Sequence, residues 1–164
     1  MPRLVIEPLD REAFAPFGDV LEPGNAETVY EINAGTAQRF HALARVDIAG
    51  DDGAAVISLF RAQPRALPFV VSQLERHPLG SQAFMPLGTA PYLVVVAESP
   101  QSPPRAFFAR AGQGVNFRRG TWHHPLLALE RESDFLVVDR SGTAPNCDEI
   151  DLPEPWTIEP LSPR

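Results

Sequence analysis

Short apolar runs rich in β-branched and aromatic residues recur along the chain, and Pro, Gly, Asp or Asn separates one run from the next. Such runs favour strands, whereas proline breaks helix interiors, so the 18 prolines spread over 164 residues leave little room for long helices. Many short strands at near-regular spacing are typical of an all-β sandwich or barrel. Strands are predicted at Leu4–Pro8, Val29–Asn33, Ala55–Arg61, Phe69–Leu74, Ser81–Pro86, Tyr92–Ala97, Arg105–Ala109, Gly114–Phe117, Pro125–Leu129 and Phe135–Asp139.

One short helix is predicted near the N-terminus. Asp10 is suited to cap it, since a short acidic side chain can accept a hydrogen bond from the first turn. The residues from Arg11 to Phe14 would form the helix, and Pro16-Phe17-Gly18 would end it. The sequence therefore predicts an all-β fold with a short helical entry.

The chain changes character after Ser141, where Gly, Pro, Asn and Asp become frequent. This composition predicts an irregular tail. Trp156 and Ile158 are its apolar anchors, and they would hold it against the body of the protein or against a second subunit. Because no repeat, low-complexity tract or linker divides the sequence, one domain is expected over residues 1–164.

The charge of the chain argues against two classes of partner. The net charge is −7 and the isoelectric point is about 5.0, and an acidic surface repels the phosphates of nucleic acid. Basic residues do not cluster beyond the pair Arg118-Arg119, so no patch for an anionic membrane is expected either. A small molecule is the expected partner.

Cysteine usage and hydropathy predict a cytoplasmic location. Cys147 is the only cysteine, so an intrachain disulfide and a multi-cysteine zinc site are excluded. The start at Met1 lacks the long apolar stretch of a signal peptide, and the longest apolar run, Tyr92–Ala97, is far too short to span a bilayer. Neighbouring Asp148 would raise the pKa of the Cys147 thiol, which argues against a cysteine nucleophile.

The first candidate for chemistry is the segment from Glu75 to Gln82. Residues two apart on a strand share a face, so Glu75 and His77 could enter one cavity. A carboxylate, an imidazole and the Gln82 amide could bind a metal ion or hold an acid and a base in register. On residue types alone, a solvated surface loop is the favoured alternative.

The second candidate is the segment from Gly120 to Pro125. A glycine turn here precedes Trp122, His123 and His124. Adjacent strand residues face opposite sides, so only one of the two histidines is expected to point inward. The alternative is a histidine that merely ends a strand, with Trp122 in the core. Together the two histidine segments favour one shared site. Imidazole suits such a site, since it can act as an acid, a base or a metal ligand near neutral pH.

A third group could bind an anionic substrate. Arg39 and His41 lie two residues apart, as a strand needs in order to direct both at one pocket. A guanidinium can hold a small carboxylate through two parallel hydrogen bonds. The alternative is a solvated arginine in an exposed turn, and Arg61, Arg76 and Arg140 compete for the same role. No serine-nucleophile elbow, phosphate-binding loop or dinucleotide fingerprint is present in the sequence.

The two histidine segments resemble the two motifs of the cupin superfamily. The first cupin motif has His-x-His followed by Glu and Gly, and the second has Pro-x-Gly-x-x-His. The corresponding residues are Glu75, His77, Gln82 and Gly88 in the first motif and Arg118, Gly120 and His123 in the second. The chain departs from the motifs at Glu75, Gln82 and Arg118, and the substitutions keep oxygen ligands while weakening tight metal binding.

At the level of one family, the chain resembles ureidoglycolate lyase, an enzyme of allantoin breakdown in purine catabolism. The resemblance extends along nearly the whole chain. It rests on Glu75 to Pro86, Gly112 to Asn116, Trp122 to Leu126, Asp134 to Leu136, Asp139 to Gly142, Asn33 to His41, and the entry at Ala13-Phe14 and Gly18 to Val20.

This resemblance implies a cupin-like double-stranded β-helix barrel, a homodimer, and a divalent metal ion such as nickel, with no organic cofactor. It implies a carbon–nitrogen lyase that cleaves the small anion (S)-ureidoglycolate into glyoxylate and urea. His77, His123, Glu75 and Gln82 are then the expected catalytic residues, and His77, Gln82 and His123 the expected ligands of a bound metal. Expected substrate-binding residues are Arg39, Arg76, His41 and Asn116.

Two other functions are compatible with these residues. An amidohydrolase acting on ureidoglycolate would release ammonia and carbon dioxide instead of urea, and such enzymes often use a metal-activated water. A non-catalytic cupin would bind a ureido acid or a sugar without turnover, since this fold hosts many functions. An acid–base pair in the pocket favours the enzyme over the binder.

Overall fold

The computed structural model describes residues 1–162, and almost all of its regular structure is β-strand. The only α-helix among these residues is α1 (Arg11–Phe14), and single 3₁₀ turns lie at Pro23–Asn25 and Asn33–Gly35. The strands are β1 (Arg3–Leu4), β2 (Ile6–Pro8), β3 (Gly18–Leu21), β4 (Thr28–Ile32), β5 (Ala37–His41), β6 (Ala54–Ala62), β7 (Phe69–Arg76), β8 (Gln82–Pro86), β9 (Tyr92–Ala97), β10 (Arg105–Ala109), β11 (Gly114–Phe117), β12 (Trp122–His123), β13 (Leu127–Ala128), β14 (Ser133–Ser141) and β15 (Asp148–Ile158).

Two large sheets face each other across a shared core. The eight-stranded sheet has the order β1-β15-β7-β12-β9-β10-β2, with β13 also paired to β9, and the five-stranded sheet has the order β3-β11-β8-β14-β6. Strands β4 and β5 form a separate hairpin sheet. The two large sheets make a nearly closed barrel, which confirms the predicted all-β, cupin-like fold. No helix in the described part of the chain is long and apolar enough to cross a membrane.

The N-terminal helix forms as predicted. The Asp10 side chain accepts a hydrogen bond of 2.9 Å from the backbone N–H of Ala13, which satisfies one of the free donors of the first turn. Phe14 is fully buried and packs edge-on against Phe107, so the single turn of helix is held by tertiary contacts rather than by its own propensity.

The core divides into two apolar clusters because strand β9 is buried on both faces. Alternate residues of this strand enter different clusters, as the two-residue period of a strand requires. Tyr92, Val94 and Val96 enter the cluster between the two large sheets, and Leu93, Val95 and Ala97 enter the cluster on the other face of the eight-stranded sheet.

The prediction of an irregular C-terminal tail is wrong, because residues 148–158 form the longest strand. This strand pairs antiparallel with β7, and its register shifts between Asp151 and Trp156. Pro153 and Pro155 lie within that bulge, where the ladder requires no N–H donor, so the prolines do not break the strand. Ile158 is fully buried, so the predicted anchor does hold the tail to the body.

Candidate active site

A cavity of about 320 Å³ is lined by residues of both large sheets. Its walls are largely aromatic and aliphatic, and they include Phe60, Phe84 and Phe117. The polar side chains at its lining are Glu75, Gln82, His123, His124 and Arg61. A mostly apolar cavity with a few convergent polar groups is the usual form of a small-molecule site.

Strand pairing explains why the two histidine segments meet. His123 of β12 is the direct antiparallel partner of Glu75 of β7, so the two side chains lie next to each other on one face. Gln82 opens β8 and shares a face with Phe84, which belongs to the core between the sheets. His77 follows the end of β7, and its ring centre lies 5.2 Å from that of His123.

Backbone carbonyls fix the orientation of both imidazoles. Nδ1 of His77 lies 2.8 Å from the Asn146 carbonyl, and Nδ1 of His123 lies 2.9 Å from the Thr121 carbonyl. A carbonyl only accepts, so each Nδ1 carries the proton and donates it, which leaves Nε2 free to accept a proton or bind an ion. Phe117 stacks on the His123 ring at 4.2 Å and holds its plane.

The free atoms of this group are buried and unpaired. His77 Nε2, His123 Nε2 and Gln82 Oε1 have no hydrogen-bond partner within residues 1–162. Buried polar atoms are normally hydrogen-bonded, so three such atoms in one place indicate a site that is completed by a ligand. These are atoms of the three residues that the sequence predicted as metal ligands.

The Glu75 carboxylate lies beside the His123 ring. Its Oε1 is 3.4 Å from His123 Nε2, a close contact without hydrogen-bond geometry that is an ion pair only when His123 is protonated. Contact with His123 in its protonated form lowers the pKa of Glu75, and this effect outweighs the opposing effect of burial. Glu75 is therefore a carboxylate at neutral pH and can accept a proton or bind a cation.

The donor atoms fit a divalent metal ion. One ligand atom each from Glu75, His77 and His123 can be chosen so that all three lie within 4.8 Å of one another. Neutral imidazole and carboxylate are ligands of transition metals, and metal-binding histidines usually donate Nδ1–H to a carbonyl or a carboxylate, as both do here. Gln82, the other predicted ligand, has its free Oε1 in the same cavity wall.

Asp139 explains why the chain has glutamine at position 82, where the cupin motif has glutamate. Gln82 Nε2 donates a hydrogen bond of 3.1 Å to Asp139 Oδ2, which turns the amide oxygen away from Asp139. A glutamate in place of Gln82 would set two carboxylates side by side in a largely buried position.

Replacing Gln82 with glutamate is therefore expected to lower the free energy of unfolding at pH 7 by about 1–3 kcal/mol, because like charges at this distance repel. The double variant Gln82→Glu/Asp139→Asn should recover most of the loss, and urea denaturation of the four proteins of this cycle measures the coupling. Equal losses with and without Asp139 would contradict the explanation.

The predicted substrate-binding residues lie elsewhere. Arg76 points away from Glu75: its Nε donates to Asp148 at 2.8 Å, and its guanidinium lies 4.8 Å from the centre of the Trp122 ring. Asn116 faces the outer side of the five-stranded sheet, where it donates to Asp19 at 3.0 Å and lines a second, polar cavity of about 770 Å³.

Arg39 and His41 lie on the separate hairpin sheet. They share one face of β5, as predicted, and both contact Tyr30 of β4: the Arg39 guanidinium is 5.8 Å and the His41 ring 6.2 Å from the centre of the Tyr30 ring. Neither residue lines the histidine cavity of its own chain. The structure thus brings together the histidine segments but not the predicted anion-binding residues.

Sequence reasoning did not assign two residues near the cavity to their positions. Asp139 follows the buried positions Phe135 and Val137 at the two-residue period of β14, so alternation could have placed it inward. Arg61 lines the cavity, yet its Nε and Nη2 donate hydrogen bonds to the Asp134 carboxylate, at 2.8 and 3.0 Å. The partner of this arginine is 73 residues away in sequence, so no local signal marks the pair.

The prediction that only one of the two neighbouring histidines points inward is wrong, because both line the cavity. Strand β12 ends at His123, so alternation no longer fixes the next residue, and His124 also borders the cavity. Its ring packs edge-on against Phe69 at 5.3 Å, and burial lowers the pKa of His124. His124 thus stays neutral in a packed position.

Cys147 lies near the site without being part of it. Its Sγ is 3.8 Å from Glu75 Oε2. Partial burial and the neighbouring carboxylate raise the pKa of the thiol, as the sequence predicted. A protonated thiol is a poor nucleophile, so Cys147 is not a candidate for the chemistry of this site.

The barrel and its group of imidazole, carboxylate and amide side chains define a cupin-like enzyme with a small-molecule pocket. The chain belongs to the ureidoglycolate lyase family, since the model of the family described as ureidoglycolate lyase matches residues 1–159. A ureidoglycolate lyase of Burkholderia mallei is 55% identical over 157 residues, which cover 94% of this chain and 92% of that protein. Ureidoglycolate lyases of Rhizobium etli and Brucella melitensis are 50% and 56% identical, over 99% and 89% of this chain and 100% and 88% of the relatives.

Proposed function

We propose that this protein is a ureidoglycolate lyase that cleaves (S)-ureidoglycolate into glyoxylate and urea. The observation that carries the proposal is the set of buried, unpaired acceptor atoms on His77, His123 and Gln82 beside the Glu75 carboxylate. Membership of the family supplies the substrate. The amidohydrolase and the non-catalytic binder remain as outcomes of the experiment below.

The reaction needs two proton transfers and no water. The substrate carbon that bears the carboxylate also bears a hydroxyl and the ureido nitrogen. Removal of the hydroxyl proton forms the C=O bond of glyoxylate as the C–N bond breaks, and the leaving nitrogen takes up a proton to give urea. A base and an acid on either side of this carbon are therefore sufficient.

The chain offers both groups. Nε2 of His123 is free to accept the hydroxyl proton, and the Glu75 carboxylate 3.4 Å away stabilises the imidazolium that results. The His77 ring centre lies 5.2 Å from that of His123, and His77 can deliver a proton to the leaving nitrogen when it enters the reaction protonated at Nε2. Gln82, held by Asp139, presents its amide oxygen to a substrate N–H. The apolar walls limit the access of water.

The same atoms could hold a divalent ion, and nickel is the ion we propose, with Glu75, His77 and His123 as ligands and Gln82 Oε1 as a fourth donor. A bound divalent ion polarises a substrate oxygen and lowers its pKa. The imidazoles would then be ligands, and a Glu75 oxygen would remain the nearest proton acceptor of the chain. Calorimetric titration of the metal-free protein with NiCl₂ tests this assignment, which requires that His77→Ala and His123→Ala weaken the binding.

Two further properties are part of the proposal. A homodimer located in the cytoplasm is expected from the family resemblance, the single cysteine and the acidic composition. Family membership supports a small anionic substrate, and neither a nucleic acid nor a membrane is proposed as a partner.

The test is the analysis of products after the purified protein is incubated with racemic ureidoglycolate, with and without a chelator. Urea and glyoxylate in equal amounts, formed well above the spontaneous rate, are expected. Half of the substrate should remain if only one enantiomer is used. Ammonia in place of urea would indicate the amidohydrolase, and no acceleration with or without added nickel would leave a binding protein.

A further inference from the structure

We propose that Asn146 is the positioning residue of His77: its backbone carbonyl sets the tautomer of the imidazole, and its side chain fixes the turn that carries the ring. This inference rests on the proposed function, because that function makes His77 an acid or a metal ligand. Asn146 lies outside the lining of the histidine cavity, so it acts on the reaction through His77 and not by contact with the substrate.

The strand that precedes His77 does not hold its ring. Strand β7 ends at Arg76, so His77 lies beyond the ladder, where the alternation of strand residues no longer directs its side chain. Pro78 follows, and it has no N–H with which to bond a neighbouring segment. The His77 carbonyl accepts a hydrogen bond of 2.9 Å from the N–H of Gly120, but this bond fixes the backbone and not the imidazole. The ring needs a contact of its own.

Asn146 makes that contact and a second one beside it. Its carbonyl lies 2.8 Å from Nδ1 of His77, and its side-chain Oδ1 accepts a hydrogen bond of 2.7 Å from the backbone N–H of Leu79. Both contacts are partly buried, where a hydrogen bond competes less with water. One residue therefore holds the ring on one side of Pro78 and the backbone on the other, so the turn and the imidazole are fixed together.

The pairing of β7 with β15 explains why Asn146 lies next to His77. The ladder ends at the pair of Arg76 and Asp148, and Arg76 Nε also donates to the Asp148 carboxylate at 2.8 Å. In an antiparallel pair, the chain that leaves one strand and the chain that enters the other lie at the same end of the ladder. Register thus brings together two residues that are 69 positions apart in the sequence.

The loop that carries Asn146 is also held at its other end. Asp52 accepts hydrogen bonds from the backbone N–H and the hydroxyl of Thr143, and the bond from the hydroxyl is 2.8 Å long. Gly142 lies against the buried Arg140 guanidinium, since a Cβ added to this glycine would be 2.7 Å from Nη1. With Thr143 bound on one side and the ladder on the other, the Asn146 carbonyl has little freedom to move away from the ring.

Both roles proposed for His77 need the tautomer that this carbonyl selects. A neutral imidazole has one N–H, and the hydrogen bond made by one ring nitrogen decides the state of the other. When Nδ1–H is donated to Asn146, Nε2 has a lone pair that can bind a metal ion. An imidazolium that gives its Nε2 proton to the leaving nitrogen is left in this same tautomer. Asn146 accepts a hydrogen bond and no proton, so the proton balance of the reaction is unchanged.

The first test is steady-state release of urea by Asn146→Ala. Loss of Oδ1 leaves the Leu79 N–H without its acceptor and loosens the turn, so kcat is expected to fall about 10- to 100-fold, the usual effect of losing a group that orients a histidine. KM should stay within about twofold, because Asn146 does not line the cavity. Asn146→Asp keeps an oxygen acceptor at the same position and should recover at least about a third of the wild-type kcat.

Asn25→Ala is the matched control. The Asn25 side chain also makes a hydrogen bond to the backbone, which it donates to the Val20 carbonyl at 2.9 Å, in a partly buried position outside the lining of the histidine cavity. Its removal should change kcat by less than about twofold. Asn146→Leu keeps the size of the side chain without the acceptor and replaces Asn146→Ala if the alanine variant does not fold. A loss no larger than that of Asn25→Ala, or an Asn146→Asp no more active than Asn146→Ala, would overturn the proposal.

The second test measures the tautomer directly and needs no turnover. In chelator-treated protein with isotope-labelled, neutral histidines, nitrogen NMR of the wild type should show His77 protonated at Nδ1. Asn146→Ala should lose this signature, and His77→Ala assigns the signal. His123 is the internal reference, because its Nδ1 is bound to the Thr121 carbonyl and should not change. An unchanged His77 tautomer in Asn146→Ala would contradict the positioning role. If the wild type releases no urea, the proposed function fails, and the tautomer of His77 still shows whether Asn146 positions it.

Discussion

Replacing His123 with alanine is expected to lower kcat for ureidoglycolate cleavage by at least about 100-fold. His123 is the group to which the geometry gives the most specific role, because Nδ1 is bound to the Thr121 carbonyl, the ring is stacked on Phe117, and Nε2 is directed at Glu75. Whether Nε2 receives a proton or binds an ion, no other side chain of β12 can replace it. Steady-state release of urea measures the effect.

The neighbouring histidine provides the matched control. His124 has the same side chain one residue away, but its ring is packed against Phe69 and its Nδ1 lies 2.8 Å from the Pro125 carbonyl. His124→Ala is expected to lose less than tenfold in kcat. Circular dichroism must show native folding of both variants, since His123 is fully buried. A loss below tenfold in folded His123→Ala would contradict its catalytic role.

The sequence could indicate the residues of the candidate site because their signals are local. The His-bearing segments lie at the ends of strands with clear apolar runs, and the alternation of strand residues directs Glu75 and Gln82 to the interior. Their mutual position depends on the pairing of β12 with β7, which joins segments about 48 residues apart. The sequence suggested this convergence through the two histidine segments and their resemblance to two motifs, but it did not give the strand pairing that produces it.

The parts that could not be predicted depend on long-range structure. The C-terminal strand is hidden in the sequence by Pro153 and Pro155, and only the bulge opposite β7 makes these prolines compatible with a sheet. Sequence spacing placed Arg39 and His41 on one face correctly but could not tell that this face belongs to a hairpin outside both large sheets. Asn116 is different, because the apolar neighbours Val115 and Phe117 already indicate by alternation that it faces outward.

Replacing Glu75 with glutamine should lower kcat by about 100-fold while leaving the fold intact. The change keeps the size of the side chain but removes its charge. An amide can neither stabilise an imidazolium on His123 nor accept a proton itself, and it is a weaker ligand for a divalent cation than a carboxylate. The same loss is therefore expected for a metal-free and for a metal-loaded site, and urea release measured with and without added nickel checks both.

Glu149→Gln is the matched control for this variant. Glu149 is the direct partner of Glu75 on β15, and its exposed carboxylate lies in the acidic group around Cys147 on the opposite side of β7 from β12. If the loss of kcat in Glu75→Gln came only from the change in negative potential of this region, both glutamine variants would lose activity to a similar extent. If that loss comes from breaking the contact between Glu75 and His123, Glu149→Gln should retain at least half of the wild-type kcat. A Glu75→Gln variant within tenfold of wild type would show that His123 works without its carboxylate partner, and the proton acceptor would then have to be His77 or His123 alone.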